Sequence, residues 1–327
     1  MSRFHSFGLA LLIAAVSAGA PAVAQNWPAR SLTLVVPFAA GGGADIMGRV
    51  VAARLSELLS QQVIVENVGG AGGMTGAYRV AKAMPDGYQI VLGTNGTHAQ
   101  NQTLYKNPLY NAATDFTPVA LISEQPIVLM ARTSLPADDL KGFIDYAKAH
   151  EAEMKYGSAG AGSAVQLACV LLNAAVGVKV THVPYRGSAP ATADLMAGRI
   201  DYQCANVGPV VGQIESHVVK AIAILSRKRT AILPALPSAH EQGLTDFDAS
   251  IWYALFLPKG TPAPIVQKLN AAAIAALNTP SVQEWMQANG AEPAAPERRS
   301  PEYLGKFVES EIEKWAGPIR ASGVSAD

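Results

Sequence analysis

The sequence predicts an α/β protein of two domains, each a mainly parallel sheet flanked by helices, with a ligand cleft between them. Three observations predict it. Short apolar runs alternate with stretches whose apolar residues recur at helical spacing, the pattern of right-handed βαβ units. That alternation restarts near Pro118, and helices accumulate again after Thr261, so the tail returns to complete the first domain. Five strand ends carry loops of Gly, Ser, Thr or Asn with few charges, and ligands of such sheets bind outside the carboxyl ends of the strands. The division expected is 25–122 plus 228–327 for the first domain and 123–227 for the second, with two crossings forming a hinge.

Residues 1–24 read as a signal peptide. Arg3 supplies the positive charge, Leu9 to Ala20 is apolar or small apart from Ser17, and Ala22-Val23-Ala24 has the small-x-small pattern of a cleavage site. That run is too short to span a bilayer, which needs about 20 residues. Leu32 to Val36 then reads as a buried strand, and Ile46, Met47, Val50, Val51, Leu55, Leu58 and Leu59 mark a helix. Val63 to Val65 is the next strand, followed by the glycine loop Gly69 to Gly73 and a helix to Ala83 that stops before Pro85-Asp86-Gly87. Tyr88 to Leu92 is a third strand, ending in a small polar loop, Gly93 to His98.

In the second unit, Val119 to Ile122 and Ile127 to Met130 are apolar runs, Ala137 to His150 a helix and Met154 to Gly157 a strand. The loop Ser158 to Ser163 opens a helix that Gly177 can cap. Thr181 to Pro184 is a strand leading to Tyr185-Arg186-Gly187-Ser188, with Ser188 placed as an N-cap and Gly198 as a stop. Ile200 to Cys204, Lys220 to Leu225 and Trp252 to Leu257 are further strands, Thr261-Pro262 starts a helix through Leu277, and Ser300-Pro301 starts a C-terminal helix.

Composition narrows the function. Half of the residues are apolar and 15% charged, with zero formal net charge and no basic stripe, so nucleic acid is excluded as a partner. Gly41 to Asp45 lacks the Gly-Lys-Ser/Thr of a phosphate-binding loop, no serine sits in a G-x-S-x-G elbow, and the histidines and two cysteines have no zinc spacing. No enzyme, cofactor or metal is expected. Cys169 and Cys204, in an exported chain, are either a disulfide or two buried thiols.

The central candidate is Val35 to Asp45, where a strand passes into a helix through Ala40-Gly41-Gly42-Gly43-Ala44. The first N–H groups of a helix have no intrahelical partner and lie at the positive end of its dipole, so a carboxylate can sit there without Lys or Arg. Phe38 is an aromatic beside it. Asp45 either contacts a ligand amine or water, or favours the helix start electrostatically. Thr94, Asn95, Gly96 and His98 lie at another strand end, where His98 either donates to a carboxylate or is a solvated loop histidine. Ser158, Gly160, Gly162, Ser163, Ala164, Val165, Tyr185, Arg186 and Asn206 occupy strand ends of the second unit. Arg186 is either a ligand contact or one half of a rim ion pair, and Trp252 either covers the ligand or packs in the core.

Val36 to Asp45, Val65 to Gly73, Pro85-Asp86-Gly87-Tyr88, His182 to Ser188 and Asp194 to Gly198 follow one another as in the Bug-type substrate-binding proteins of tripartite tricarboxylate transporters. The chain resembles that family over nearly all of its mature length. The resemblance implies a periplasmic receptor of type II-like binding-protein fold, acting as a monomer. It would close on a small carboxylate and deliver it to the membrane permease subunits. It also implies that Phe38 to Asp45, Thr94 to His98, Ser158 to Val165 and Tyr185 to Ser188 hold the ligand, largely through main-chain amides and bridging waters. The family often has proline at Ala39 and Ala40, aspartate at Ala205 and histidine near Val165-Gln166. The first departure leaves the turn less rigid, and the other two leave the second-domain side less polar, which favours a dicarboxylate or aromatic carboxylate over an amino acid. The other function compatible with such a cleft is a periplasmic sensor that presents its closed form to a membrane signalling partner.

Overall fold

The structure is a computed structural model and describes residues 27–245 and 247–326. The expected signal peptide and its cleavage site lie outside the described residues. In chain order the first strands are β1 (Leu32–Val36), β2 (Val63–Asn67), β3 (Gln89–Thr94) and β4 (Phe116–Gln125). Then come β5 (Ile127–Ala131), β6 (Lys155–Ser158), β7 (Thr181–Pro184), β8 (Tyr202–Asn206) and β9 (Lys220–Ile224), and last β10 (Ile251–Pro258) and β11 (Glu292–Pro293). The helices are α1 (Gly43–Leu59), α2 (Met74–Ala81), α3 (Asn101–Leu104), α4 (Leu140–His150) and α5 (Ala164–Val176). They continue with α6 (Ser188–Met196), α7 (Val211–Glu215), α8 (Ala263–Leu277), α9 (Pro280–Ala288) and α10 (Pro301–Ser322).

Two sheets result, ordered β11-β4-β10-β3-β1-β2 and β7-β6-β8-β5-β9. Both are mixed rather than mainly parallel. β1 pairs in parallel with β2 and β3, and β6 with β7 and β8, as the βαβ reading requires. But β10 runs antiparallel to β3 and β4, and β5 antiparallel to β8 and β9. Each of these strands enters its sheet from the other lobe without a crossover helix, so nothing imposes the parallel direction.

The passages between lobes fall later than expected. β4 runs to Gln125 and β5 begins at Ile127, so the first is Pro126 rather than residue 122. After β9 the chain stays on the second lobe: Ile224 N donates to Pro237 O, Ala239 N to Ile224 O and Ala249 N to Leu225 O. It leaves only at Ser250, about twenty residues beyond the expected boundary, because those proline-punctuated turns add a bridge alongside β9.

The first sheet is buried on both faces, which is why its strands read as continuous apolar runs. Leu34 and Val36 of β1 pack with Met47, Val51 and Leu55 of α1 and Leu269 of α8, while Val35 joins Val80 of α2 and Leu304 and Trp315 of α10 on the other face. Each such side chain contributes roughly 1.5–3 kcal/mol on burial. Ser300 caps α10 by accepting from Tyr303 N, and in the second lobe Asp139 caps α4 by accepting from Gly142 N, so that helix starts after Asp139 rather than at Ala137. Ser188 is the first residue of α6 and Gly187 its cap.

Cys169 of α5 and Cys204 of β8 form a disulfide with both residues fully buried. The chain-entropy model assigns a closure of this separation about 4 kcal/mol. Its position matters more here: α5 begins at Ala164 and β8 ends at Asn206, and the bridge holds these two ends in register.

Candidate functional site

Three helices, α1 from the first lobe and α5 and α6 from the second, start on the same small cavity. Its walls are Phe38, Gly42, Gly43, Ala44 and Thr94 from the first lobe and Ala159, Ser163, Ala164, Val165, Ser188 and Asn206 from the second. Ile251 and Tyr253 of β10 close it on the hinge side. Among the described lining residues there is no Lys, Arg, Asp or Glu. The first N–H groups of α1 and α5 and the positive ends of their dipoles face this cavity, an arrangement that can hold an anion without a formal cation. Ser163 accepts from Gln166 N, which sets the first turn of α5. Gly43 presses on the end of β8, where a Cβ would lie 2.7 Å from Asn206 Cγ. Asn206 Nδ2 in turn donates to Gln125 Oε1, next to the first crossing.

The group best placed to meet a ligand was not read from the sequence. Tyr253 is fully buried, lines the cavity, and its hydroxyl has no well-formed hydrogen bond. Burial pushes its pKa up, only partly offset by the neighbouring Asn206 amide, so the hydroxyl stays protonated and able to donate. Ile251 is its neighbour on the same face of β10. Trp252 points to the opposite face, packs on Phe307 and donates Nε1 to Glu311. The aromatic of β10 that faces the cavity is therefore Tyr253 rather than Trp252, because side chains alternate along a strand.

Asp45 lies behind the loop rather than in the cavity. It is 3% exposed, its Oδ2 accepting from Gly41 N at 2.9 Å and its Oδ1 from Asn67 Nδ2 at 2.9 Å. Arg49 bonds it from the next turn, and Asn67 also donates to Phe38 O. Burial alone would raise the carboxyl pKa, but Arg49, the Gly41 amide and Asn67 outweigh it and hold it below the ordinary range. Asp45 thus takes one of the amides expected for a ligand and fixes the turn that presents the others.

Several further candidates serve the frame. Asn95 Nδ2 donates to Ser250 O at the second crossing. Gly96 starts a wide π-type helical turn leading into α3, so the expected polar loop is instead packed against Ala164 N. Ser158 is fully buried, meets His182 Nε2 at 2.7 Å and bonds Gly160 through both N and O. That hydroxyl braces the turn before α5. Gly160 and Gly162 are close-approach positions, against Tyr185 O and the Asn101 side chain. Tyr185 donates its hydroxyl to Asp194, away from the cavity. Arg186 keeps its side chain exposed and contributes its carbonyl, which accepts from Ala39 N across the cleft. Ala40 is exposed at the rim, and Gly41 borders a second, adjoining pocket.

Residues 47–324 match the tripartite tricarboxylate transporter family receptor, TctC. The chain belongs to this receptor family. Among solved structures it is similar to MatC from Rhodopseudomonas palustris with bound malate, at 39% identity, a TM-score of 0.87 and coverage of 90% of this chain and 100% of that one. It is similar to R. palustris Rpa4515 with adipate at 36% identity and a TM-score of 0.87, covering 91% and 99%. Protein BugT of Bordetella pertussis is 34% identical over 96% of each chain. Among the described residues of this TctC receptor, no group of three or more His, Cys, Asp or Glu is arranged for a metal, and no helix is long and apolar enough to cross a membrane.

His98 of the receptor is inside the first lobe, not in a solvated loop. It is fully buried, stacked 4.0 Å from the Phe256 ring, with Nδ1 2.9 Å from Thr97 Oγ1. Burial lowers its pKa from 6.5 to about 3, so it is a neutral core residue. The unfolded chain binds this proton first, so the stability His98 contributes is whole above about pH 6.5 and is lost as pH falls toward 3. Between pH 7 and pH 5 the receptor is expected to lose about 2 kcal/mol from this group. Urea unfolding at the two pH values measures it, and the loss should shrink in His98→Gln. Carboxylate affinity, by contrast, should not rise over that interval through His98.

Proposed function

We propose that this protein is a periplasmic solute receptor that closes its two lobes on a small organic carboxylate and delivers it to the permease subunits of a tripartite transporter. The observation that carries this reading is the convergence of the α1 and α5 starts on one cavity that has the buried Tyr253 hydroxyl and, among its described lining residues, no Lys or Arg. A carboxylate oxygen satisfies that hydroxyl and the bare amides together, and the site performs no covalent chemistry. The leader expected at residues 1–24 and the malate and adipate held by two relatives support the same reading. The less polar second-lobe wall, with Ala159, Ala164 and Val165, favours a dicarboxylate or aromatic carboxylate over an amino acid.

The test is a thermal-shift and calorimetric titration of the mature protein with mono-, di- and tricarboxylates, aromatic acids, a sugar and a divalent cation. Carboxylates alone should raise the melting temperature; a response to the sugar or the cation alone sinks the reading. Tyr253→Phe should reduce carboxylate affinity about tenfold, the loss of one hydrogen bond to a charged group. The same substitution should leave the melting temperature of the ligand-free protein close to that of the unsubstituted protein, since the ring and its packing are kept. A loss of affinity without a loss of stability is expected of a ligand contact and not of a core residue.

A further inference from the structure

The inner cavity is too small for a whole ligand. Its volume is about 20 Å³, space for one or two waters, which matches a single carboxylate head. A second pocket of about 210 Å³ adjoins it, and Gly42, Gly43, Ser188 and Asn206 form walls of both. On its far side lie Ala189, Ala193 and Met196 of α6 together with Pro209 and Val210 after β8. Two of its polar side chains are occupied: Thr192 Oγ1 donates to Ser188 O and contacts Gln203 Oε1, and the Gln213 amide faces Val210 O and Pro209 O. No charged side chain is among its described walls. Met196, about half exposed, stands at the edge of this pocket.

We infer that the outer pocket takes the carbon skeleton of the ligand, so that the receptor selects elongated acids over compact ones. This rests on the carboxylate reading of the inner cavity. One carboxylate sits between the α1 and α5 starts, and the chain or ring passes over the side-chain-free edge at Gly42 and Gly43 and lies on Ala189 and Ala193. The side-chain-free edge at Gly42 and Gly43 leaves room for the skeleton to pass, and the far wall at Met196, Pro209 and Val210 offers no charged side chain to a second carboxylate. Apolar area covered in the outer pocket, rather than a second ionic contact, then sets affinity.

The experiment is calorimetry on the mature protein with malonate, adipate, hexanoate and phenylacetate, repeated with Ala193→Phe. Ala193 is exposed, so the substitution does not strain the core. The unsubstituted protein should bind adipate at least tenfold tighter than malonate, with hexanoate close to adipate. Ala193→Phe should reduce adipate, hexanoate and phenylacetate affinity at least tenfold and change malonate affinity less than threefold. Equal losses for malonate and adipate, or no loss for either, overturn the outer-pocket inference and leave the carboxylate reading intact. Failure of every acid to bind the unsubstituted protein overturns both.

Discussion

Gly42→Asp is expected to abolish carboxylate binding while leaving the fold at least as stable. Gly42 is the N-cap of α1 with φ −88°, and a Cβ there would meet nothing closer than Ser188 N at 3.6 Å. The backbone conformation and the space therefore accept a side chain. Aspartate is among the best N-cap residues, because its carboxylate accepts from the first helical N–H groups. Here it would satisfy from within the amides that the ligand uses, and would place its charge between the inner and outer pockets. An affinity loss of at least a hundredfold, about 2.7 kcal/mol, should accompany an unchanged or slightly raised melting temperature. Gly42→Asn separates charge from bulk and should lose less. Wild-type affinity in Gly42→Asp would move the anion site away from the α1 start.

Gly72→Val is expected to prevent the lobes from meeting. Gly72 lies in the loop between β2 and α2 at φ +59°, and a Cβ on it would stand 2.2 Å from Ala161 O and 2.5 Å from Gly162 C. Both obstructing atoms are backbone of the other lobe, so no rotamer change relieves the overlap. Valine at this left-handed φ adds its own strain. Separation of the lobes removes the steric overlap, so the cost appears in binding rather than in folding. Ligand affinity should fall at least a hundredfold, and small-angle scattering should show a radius of gyration that no longer contracts on adding ligand. Contraction and affinity like those of the unsubstituted protein would show that this contact is not needed for closure.

These two glycines illustrate why the loops were only half legible. Gly42 and Gly43 do border the cavity, as bare amides at a helix start suggest. Gly72, Gly96 and Gly160 have the same local composition but serve to let one backbone approach another: Gly72 meets Ala161, Gly96 meets Ala164 N and Gly160 meets Tyr185 O. A glycine needed for ligand approach and one needed for chain approach look alike in a sequence, since both are defined by what lies opposite. Trp252 and Tyr253 present the same difficulty in a strand. Ile251 to Pro258 is buried throughout, so it has no polar and apolar alternation from which to take its phase. Which aromatic faced the cleft followed from the pairing of Tyr253 with Thr94 on β3 and Ser123 on β4.

By itself the sequence determined most of the local units: the long strands and helices of both lobes, the glycine-rich β1–α1 turn, the pair of cysteines and the family. These follow from periodicity, caps and short motifs, which are properties of neighbouring residues. Only the tertiary structure decided how the units are used. It turned His98 into the core, placed Asp45 behind the loop as its brace, and brought Tyr253 to the cavity in place of Trp252. It also set the antiparallel entry of β5 and β10 and the late second crossing at Ser250. Each of these depends on what a residue meets across the molecule, and burial and opposing backbone are set by contacts distant in the chain.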